Sequence, residues 1–350
     1  MNILMLSRFF YPHIGGVEKH IEEIARRLIK KGYKVTIITE KIANTKEFEV
    51  IKKIRIFRLP YPKIRFIGLF WIWIWLLKNR SLINQSSLVH CHDVFIWYLP
   101  IRFLTPKKPV YITFHGYEGP EIPTHKAVFH HKLAERLSWG NICIGDFHKK
   151  WYGVKPTFIS YGAVNLGQKQ KNDSSKQKSA VFIGRLDKDT GILTYIKALA
   201  TLYKQNYKQN ISFSLDIFGD GPQKAKAEKL IQKCRLPCRF HGFVKEANKK
   251  LFKFKFAFVS RYLAILEAMA AKRLVFAVYD NEIKKDYLQM APFAQWIVIE
   301  SDPKKLAEKI KYYLNHPKAE KKLVNQAYNW AKKQTWEKVT AIYLKLWNLK

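Results

Sequence analysis

The chain has 350 residues, of which 48% are hydrophobic and 15% are aromatic. This length and composition exclude an intrinsically disordered or fibrous protein and indicate two globular domains. Lysine and arginine number 63 against 27 aspartate and glutamate, a formal net charge of +36, so the surface should attract an anionic partner: phosphorylated small molecules, a membrane face or a nucleic acid. The lysines are spread along the chain without an arginine-rich tail, which favours a general basic surface over a nucleic-acid groove.

The cysteine and histidine patterns argue against disulfides and against bound metal. Four cysteines in a chain of this length do not form a disulfide framework. Cys234 and Cys238 have no second pair of ligands nearby, and His90 and His92 on one strand lack further ligands, so we expect no metal ion. The N-terminus has neither the charged start nor the cleavage site of a signal peptide. We therefore expect a cytoplasmic protein with reduced thiols.

The first predicted elements form a strand–helix–strand unit. Strands are predicted over Asn2–Leu6 and Val35–Thr39, with an amphipathic helix between them that ends at Gly32. Gly15 and Gly16 open this helix at its amino end. Glycine serves in ordinary turns and also lets a backbone approach a ligand closely, and this stretch alone is compatible with both functions.

An uncharged run of twelve residues, Phe66–Leu77, follows in the first half. It is too short to span a bilayer, which needs about 20 residues in a helix. Tryptophans lie at positions 71, 73 and 75, and basic side chains flank both ends of the run: Lys63, Arg65, Lys78 and Arg80. We favour a buried helix of the first domain. Its exposed side remains suited to an anionic membrane face, because one buried face does not easily hide three indoles.

Two further features of the first half mark a ligand-binding edge and a domain boundary. The buried strand Val110–Phe114 ends in His115 and Gly116, and a histidine at the carboxyl end of a parallel strand is well placed to bind a ligand. Residues 164–179 are almost entirely polar, as is typical of a linker between domains.

The second half repeats the strand–helix rhythm. Buried strands are predicted over Ala180–Ile183, Phe213–Phe218, Phe254–Val259 and Leu274–Val278. A helix over Leu263–Ala271 joins the last two strands, and Glu267 lies near the start of this otherwise apolar helix. That helix start lies at the carboxyl edge of the sheet, where doubly wound folds bind ligands. Glu267 either only favours the helix dipole or accepts hydrogen bonds from the two hydroxyls of a nucleotide ribose.

Seven motifs, each weak alone, occur in the order and spacing of one protein family. They are YPHIGGVEKH at 11–20, TFHG at 113–116, SYGAV at 160–164, FIGRLD at 182–187, FGDGP at 218–222, HGFV at 241–244 and LEAMA at 266–270. Together they resemble the retaining glycosyltransferases of family four, over nearly the whole chain. The resemblance implies an α/β fold of the GT-B architecture: two Rossmann-like domains facing across a cleft, with a C-terminal helix crossing back to the first domain.

The resemblance also implies the domain organisation. An acceptor-side domain would occupy residues 1–163, a linker 164–179 and a nucleotide-sugar-binding domain 180–328, and a helix within 329–350 would dock on the first domain. Trp330, Trp336, Tyr343 and Trp347 follow a helical, lysine-rich pattern near the C-terminus. So many large aromatic residues agree with a docked helix and not with a free tail.

The implied activity is transfer of a sugar, with retention, from a nucleotide-diphospho-sugar of the UDP or GDP type to a glycan or lipid-linked acceptor in surface-glycan biosynthesis. Neither a metal nor a cofactor is implied, because fixed cations and a helix N-terminus can stabilise the departing diphosphate. The resemblance implies His115 near the transferred sugar, Arg185 on the diphosphate and Lys188 as a further catalytic cation. The implied donor-binding residues are Gly15, Gly16, Gly184, Arg185, Gly219, Gly221, Phe243, Ile265, Leu266 and Glu267.

Two departures from the family pattern fall on the donor side. The segment before LEAMA is four residues short: Ser260–Tyr262 runs directly into Leu263, so the first of the family's two acidic residues and its Gly-Phe-Gly are missing. The family's phosphate-binding lysine is replaced by Thr190, and Lys188 is the nearest substitute. These departures leave open a catalytically lapsed relative that binds nucleotide or glycan, and a sugar-nucleotide epimerase of the same fold. A nucleic-acid binder has only the charge in its favour.

Overall fold

The computed structural model describes residues 1–62, 67–117, 122–166, 176–205 and 213–349 of the chain. The chain forms two compact units. Unit 1 comprises Met1–Glu118, Pro123–Ser160 and Trp336–Lys350, and unit 2 consists mainly of Tyr161–Thr335.

Strands and helices alternate through both units. The strands are β1 (Asn2–Ser7), β2 (Lys34–Glu40), β3 (Phe48–Ile51), β4 (Ile54–Leu59), β5 (Leu88–His92), β6 (Val110–Phe114), β7 (Asn141–Ile144), β8 (Phe158–Ser160), β9 (Lys176–Ile183), β10 (Ser214–Phe218), β11 (Cys238–Phe240), β12 (Phe254–Phe258), β13 (Leu274–Ala277) and β14 (Val298–Ile299). The helices are α1 (Gly16–Lys30), α2 (Ile67–Lys78), α3 (Arg80–Asn84), α4 (Phe95–Leu104), α5 (His125–Leu137), α6 (Phe147–Tyr152), α7 (Ile192–Gln205), α8 (Lys224–Lys233), α9 (Tyr262–Ala270), α10 (Glu282–Gln289), α11 (Pro303–Asn315), α12 (Pro317–Ala331) and α13 (Trp336–Leu346).

The sheet of unit 1 has the strand order β3-β4-β2-β1-β5-β6-β7-β8. Its pairings are parallel except that of β3 with β4, which is antiparallel. The central strands β1, β5 and β6 are buried along nearly their whole length, as is typical of a doubly wound sheet whose two faces are covered by helices. The strand order reverses direction between β1 and β5, so a topological switch point lies at their carboxyl ends.

The C-terminal helix α13 packs in unit 1, against α1 and β8. Trp336 at its start is fully buried, and Glu337 accepts a hydrogen bond of 2.8 Å from Arg27 Nε on α1. The predicted return of a C-terminal helix to the first domain is therefore confirmed. The aromatic pattern within 329–350 is nevertheless divided between two helices, because α12 ends at Ala331 and α13 begins five residues later.

The sheet of unit 2 has the order β11-β10-β9-β12-β13-β14, with parallel pairings throughout. Its switch point lies between β9 and β12. Strand β9 begins at Lys176, within the predicted linker 164–179; residues 167–175 of that linker lie outside the described residues. The predicted α/β class and the doubly wound sheet of each half are confirmed.

The helix that carries Glu267 differs from its prediction. The helix α9 begins at Tyr262 and has nine residues, so Glu267 is its sixth residue and lies past its middle. The prediction of a carboxylate near the helix start is therefore wrong, and with it the explanation that Glu267 merely favours the helix dipole, which acts within the first turn.

Candidate functional site

Glycines bring the loops of unit 2 together at the carboxyl edge of its sheet. The Gly184 N–H donates to Phe218 O at 3.1 Å, and the Gly219 N–H donates to Gly242 O at 2.8 Å. Gly219 has φ +149°, and a Cβ there would lie 1.8 Å from Gly184 O. Gly221, at φ +154°, would place a Cβ 2.6 Å from the carbonyl oxygen of Leu186. Glycine is required at both positions because the loops after β9 and β10 approach backbone to backbone.

An ion-pair cluster lies at the switch point of unit 2. Arg185, in the loop after β9, has a side chain that is 65% exposed, and its Nη2 lies 3.0 Å from Asp187 Oδ2 and 3.8 Å from Asp189 Oδ1. Arg261, in the turn after β12, also pairs with Asp189. Because β9 and β12 are neighbours, guanidinium groups from two loops meet on one carboxylate. Cations at this edge of a parallel sheet suit a phosphorylated ligand.

Further charges surround this cluster. Lys188 is exposed on the short turn that follows Arg185. Burial raises the pKa of Asp280, which follows β13, against the opposing effects of Lys188, Lys284 and Arg261. Lys284 is fully buried, and its Nζ donates to the carbonyl oxygen of Ser260. Burial, and then the charge of Arg261, hold the pKa of Lys284 well below its usual range.

The other donor-side residues of the prediction fall into exposed and buried groups. Phe243, in the loop after β11, is 62% exposed, and an exposed ring can stack on a nucleobase. Glu267 is partly exposed, and Asn248 Nδ2 donates to its Oε1 at 3.1 Å. Ile265 and Leu266 are fully buried, and the Ile265 N–H donates to Arg261 O at 2.9 Å. These two residues contribute to the core under the site in this structure.

Histidines line the carboxyl edge of the unit 1 sheet near its switch point. His92 Nδ1 at the end of β5 lies 2.8 Å from His115 Nε2 after β6. The backbone N–H of His115 donates to Asp93 Oδ1 at 2.8 Å. His20, in the second turn of α1, stands edge-on to His115 with ring centroids 4.8 Å apart. The start of α1 at Gly15 and Gly16 and the predicted His115 thus belong to the same edge of the sheet.

A hydrogen-bond network joins these histidines to α13. Tyr343 Oη lies 2.9 Å from His20 Nε2 and 2.8 Å from Thr113 Oγ1, and His90 Nε2 lies 2.8 Å from Thr113 Oγ1. Trp347 Nε1 donates to His90 Nδ1 at 3.0 Å. Since an indole can only donate, the neutral His90 carries its proton on Nε2 and donates to Thr113.

Burial keeps these histidines neutral. It lowers the pKa of His20 to about 3, and burial followed by the neighbouring His20 lowers the pKa of His90 to about 3. Burial is also the main reason why the pKa values of His92 and His115 lie well below the usual range. Neutral imidazoles at pH 7 can act as hydrogen-bond donors and acceptors without placing charge in the core.

The sequence prediction missed part of both edges. It did not assign roles to Arg261, Asp189 or Lys284 in unit 2, or to His20 in unit 1. Two signals were nevertheless present: Arg261 lies in the short turn after a buried strand at the ligand-binding edge, and His20 closes the first glycine motif, one helical turn after Gly16. Among the described residues, no group of three or more histidine, cysteine, aspartate or glutamate side chains has an arrangement that could hold a metal ion.

The helix α2 has one exposed apolar face. Its exposed large side chains recur at helical spacing, and they are Ile67, Phe70, Trp71, Ile74 and Leu77. Trp73 is turned inward, since its Nε1 donates to Ile96 O at 2.9 Å, and Ile72 and Leu76 are buried. The predicted helix is confirmed, but the expectation that it is buried is wrong for this outer face. Phe66, Lys63 and Arg65 of the prediction lie outside the described residues. Within the described ranges, no helix combines the length and apolar character needed to cross a bilayer.

Two doubly wound, mostly parallel sheets, with cations and glycine-lined loops at the switch point of unit 2, define an α/β protein with two Rossmann-like halves. Family comparison then gives the identity. The profile described as Glycosyltransferase Family 4 matches residues 14–151, and that of Glycosyl transferases group 1 matches residues 166–330. The chain belongs to the glycosyltransferases of family four.

Individual proteins agree with this assignment. A component of human phosphatidylinositol N-acetylglucosaminyltransferase is 30% identical over 133 residues, which are 37% of this chain but only 23% of the human protein. The fold is similar to sucrose-phosphate synthase from Thermosynechococcus elongatus, with a TM-score of 0.78 at 16% identity over 99% and 98% of the two chains. It is also similar to Anabaena HepE in complex with UDP and glucose, with a TM-score of 0.76 at 14% identity over 99% of each chain. The GT-B fold expected from the resemblance is confirmed.

Proposed function

We propose that this chain transfers a sugar from a nucleotide-diphospho-sugar to a glycan or lipid-linked acceptor, with retention and without a metal ion, in surface-glycan biosynthesis. The observation that carries the proposal is the ion-pair cluster around Arg185 at the switch point of unit 2. Breaking a sugar–phosphate bond leaves negative charge on the diphosphate, and fixed cations stabilise that charge most strongly when they need no reorganisation.

Each donor-side residue has a chemical task in this proposal. Arg185 binds the diphosphate, with Lys188 as an exposed cation beside it. Phe243 stacks on the base, and Glu267 accepts hydrogen bonds from the two ribose hydroxyls. Its contact with Asn248 supports this role, because a carboxylate already held by an amide donor is oriented before the ligand arrives.

His115 of unit 1 supplies a neutral hydrogen-bond group for the transferred sugar. Its partners His92 and Asp93 hold the ring and the backbone, and burial keeps its pKa well below the usual range. A neutral imidazole can bind a sugar hydroxyl as donor or acceptor without carrying a charge of its own. Gly15 and Gly16 lie at the start of α1, where a protein backbone without side chains can approach a phosphate closely.

The donor is proposed to be of the UDP or GDP type, and the acceptor to be lipid-linked. The complex of Anabaena HepE with UDP and glucose supports a UDP-sugar. The phosphatidylinositol in the name of the human relative supports a lipid acceptor. The apolar face of α2 and the net charge of +36 suit a peripheral position on an anionic, cytoplasmic membrane face.

The membrane position has a direct test. We expect the combined changes Phe70→Ser, Trp71→Ser and Ile74→Ser to release the protein from anionic liposomes in a sedimentation assay, because they remove the exposed apolar contacts. The paired changes Phe48→Ser and Val50→Ser on β3 provide a control with exposed apolar side chains elsewhere in unit 1. Equal binding of both variants would contradict the membrane role of α2.

The transferase activity is tested by a nucleotide-sugar panel read by thermal shift and turnover. One nucleoside diphosphate should stabilise the protein, by about 2.7 kcal/mol at a hundredfold excess over Kd. The matching donor should be consumed only when acceptor is present. A donor that is converted without acceptor would indicate an epimerase, and steep, salt-dependent binding to DNA or RNA without nucleotide-sugar binding would indicate a nucleic-acid binder.

A catalytically lapsed relative is the second candidate function. The shortened turn favours it, because α9 begins directly after Arg261 and leaves no room for the acidic residue and glycines of the family motif. Such a protein would bind the nucleotide and serve as a non-catalytic partner in a complex. Thermal stabilisation by a nucleoside diphosphate without any turnover, across donors and acceptors, is the result that would identify it.

A further inference from the structure

The turn between β12 and α9 is short and firmly held. Ser260 Oγ accepts a hydrogen bond from the Val278 N–H at 3.1 Å and lies 2.9 Å from Tyr195 Oη. The Ser260 carbonyl accepts from the buried Lys284, and the Tyr262 N–H donates to Tyr287 Oη at 2.7 Å. Buried partners therefore fix the backbone on both sides of Arg261, whose position at the ligand edge is set before any ligand binds.

The side chain of Arg261 is directed to the same carboxylate as Arg185. Asp189 is only 12% exposed and pairs with Arg261, which is 39% exposed; Arg185 Nη2 lies 3.8 Å from the other oxygen of Asp189. The carboxylate thus sits behind two guanidinium groups that each keep part of their surface towards solvent. A guanidinium has five N–H donors, so each group can pair with a carboxylate and still donate to an anionic ligand on its exposed side.

Thr190 cannot supply the cation that the family has at its position. Its side chain is nearly buried, and Thr190 Oγ1 donates to Arg185 O at 2.6 Å while accepting from the Asp187 N–H at 3.3 Å. The hydroxyl shapes the loop that carries Arg185. The loop after β9 offers a diphosphate Arg185 and Lys188, and the neighbouring turn can add Arg261.

We propose that Arg261 is the second diphosphate-binding cation of this chain, acting beside Arg185 in place of the lysine that Thr190 replaces. The proposal rests on the proposed function and adds a residue from a different loop to it. A diphosphate carries charge on both phosphates, and two guanidinium forks from adjacent strands can each bind two phosphate oxygens. Asp189 positions both forks, and the buried Lys284 holds the turn from which Arg261 projects.

The test compares nucleotide affinities of three variants by calorimetry, with UDP, GDP, UMP and GMP as probes. Arg261→Ala should weaken binding of the preferred nucleoside diphosphate by about 10-fold to 100-fold, the range for a lost charge-assisted hydrogen bond. The affinity for the matching nucleoside monophosphate should fall much less. Arg261→Lys should fall in between, because lysine keeps the charge but not the fork. Arg136→Ala, at an exposed arginine on α5, should bind as wild type does.

The outcomes separate this inference from the function on which it rests. Wild-type protein that binds none of the four nucleotides would overturn the proposed function and the inference together. Wild-type protein that binds a diphosphate, with Arg261→Ala binding it equally well, would overturn only the role of Arg261. If Arg261→Ala lowered the affinities for diphosphate and monophosphate by the same factor, the role of Arg261 would also be overturned. Melting temperatures without ligand show whether the alanine variant folds, and Arg261→Lys gives the affinity comparison if it does not.

Discussion

The two sheet edges hold their polar groups in opposite ways. In unit 1, His20 and His90 and their partners on α13 are buried, neutral and joined by hydrogen bonds. In unit 2 the corresponding edge carries ion pairs whose arginines are partly exposed. Buried hydrogen-bond networks are costly to interrupt, whereas exposed ion pairs contribute little to stability. Substitutions should therefore affect folding at the first edge and ligand binding at the second.

The difference suits the task proposed for each edge. A diphosphate carries several negative charges and is best met by cations that remain accessible to it. A sugar is neutral and is best met by uncharged donors and acceptors in fixed orientations. The C-terminal helix contributes to this fixed arrangement, because Tyr343 and Trp347 each hydrogen-bond a histidine of the network.

The largest effect is expected from Arg185→Ala. Loss of one preorganised group that stabilises developing charge lowers kcat by about 100-fold to 1,000-fold. Since the Arg185 side chain is 65% exposed, the melting temperature should stay close to that of wild type. Donor turnover and thermal unfolding of the same preparation measure both quantities, with Arg136→Ala as the control. A variant that loses stability but keeps turnover would contradict the comparison between the two edges.

The next effect is an acid sensitivity of unit 1. Histidines whose pKa is lower in the folded than in the unfolded chain stabilise the fold above pH 6.5, and this stability is lost as the pH falls towards the folded value. The pKa of His20 is lowered to about 3 in the folded chain. Between pH 7 and pH 5, this one histidine should therefore lower the free energy of unfolding by about 2 kcal/mol. His20→Gln keeps a polar partner for Tyr343 but cannot be protonated, so the stability loss between pH 7 and pH 5 should shrink.

Urea unfolding at the two pH values measures this change in the free energy of unfolding. His125→Gln, at an exposed histidine on α5, is the matched control and should lose as much stability as wild type does. If His20→Gln and His125→Gln have the same pH dependence, His20 does not carry the acid sensitivity.

An effect of similar size is expected from Tyr343→Phe. The change keeps the ring but removes the hydroxyl between Thr113 and His20. Leaving a buried partner unsatisfied costs about 1 to 3 kcal/mol, so the free energy of unfolding should fall by that amount. Tyr312→Phe on α11 is the control, because its ring is about half exposed. A Tyr343→Phe protein as stable as the control would show that the network adds nothing to folding.

The sequence predicted the sheets better than it predicted the contacts at their edges. Short continuous apolar runs such as Val110–Phe114 are typical of buried strands, and they located both sheets. The partners of Arg261 and His90 could not be predicted, because Asp189 and Trp347 lie far away along the chain and are brought near only by the topology. The place of Glu267 was misjudged, because it is already the fifth residue of the predicted helix Leu263–Ala271, and α9 begins one residue earlier, at Tyr262.

The smallest effect, and the one that separates the edges most simply, is that of salt. Charged contacts at a partly exposed site are screened with a Debye length of about 8 Å at 0.15 M salt. Raising NaCl from 50 mM to 200 mM should therefore weaken binding of the preferred nucleoside diphosphate by roughly threefold, by screening its contacts with the cations of unit 2. The stability difference between wild type and Tyr343→Phe should not change, because the groups of that network are neutral and buried. Calorimetry at both salt concentrations measures the diphosphate affinity, and urea unfolding at both concentrations measures the stability difference. A diphosphate affinity independent of salt would mean that the arginines at the unit 2 edge do not bind the ligand through their charge.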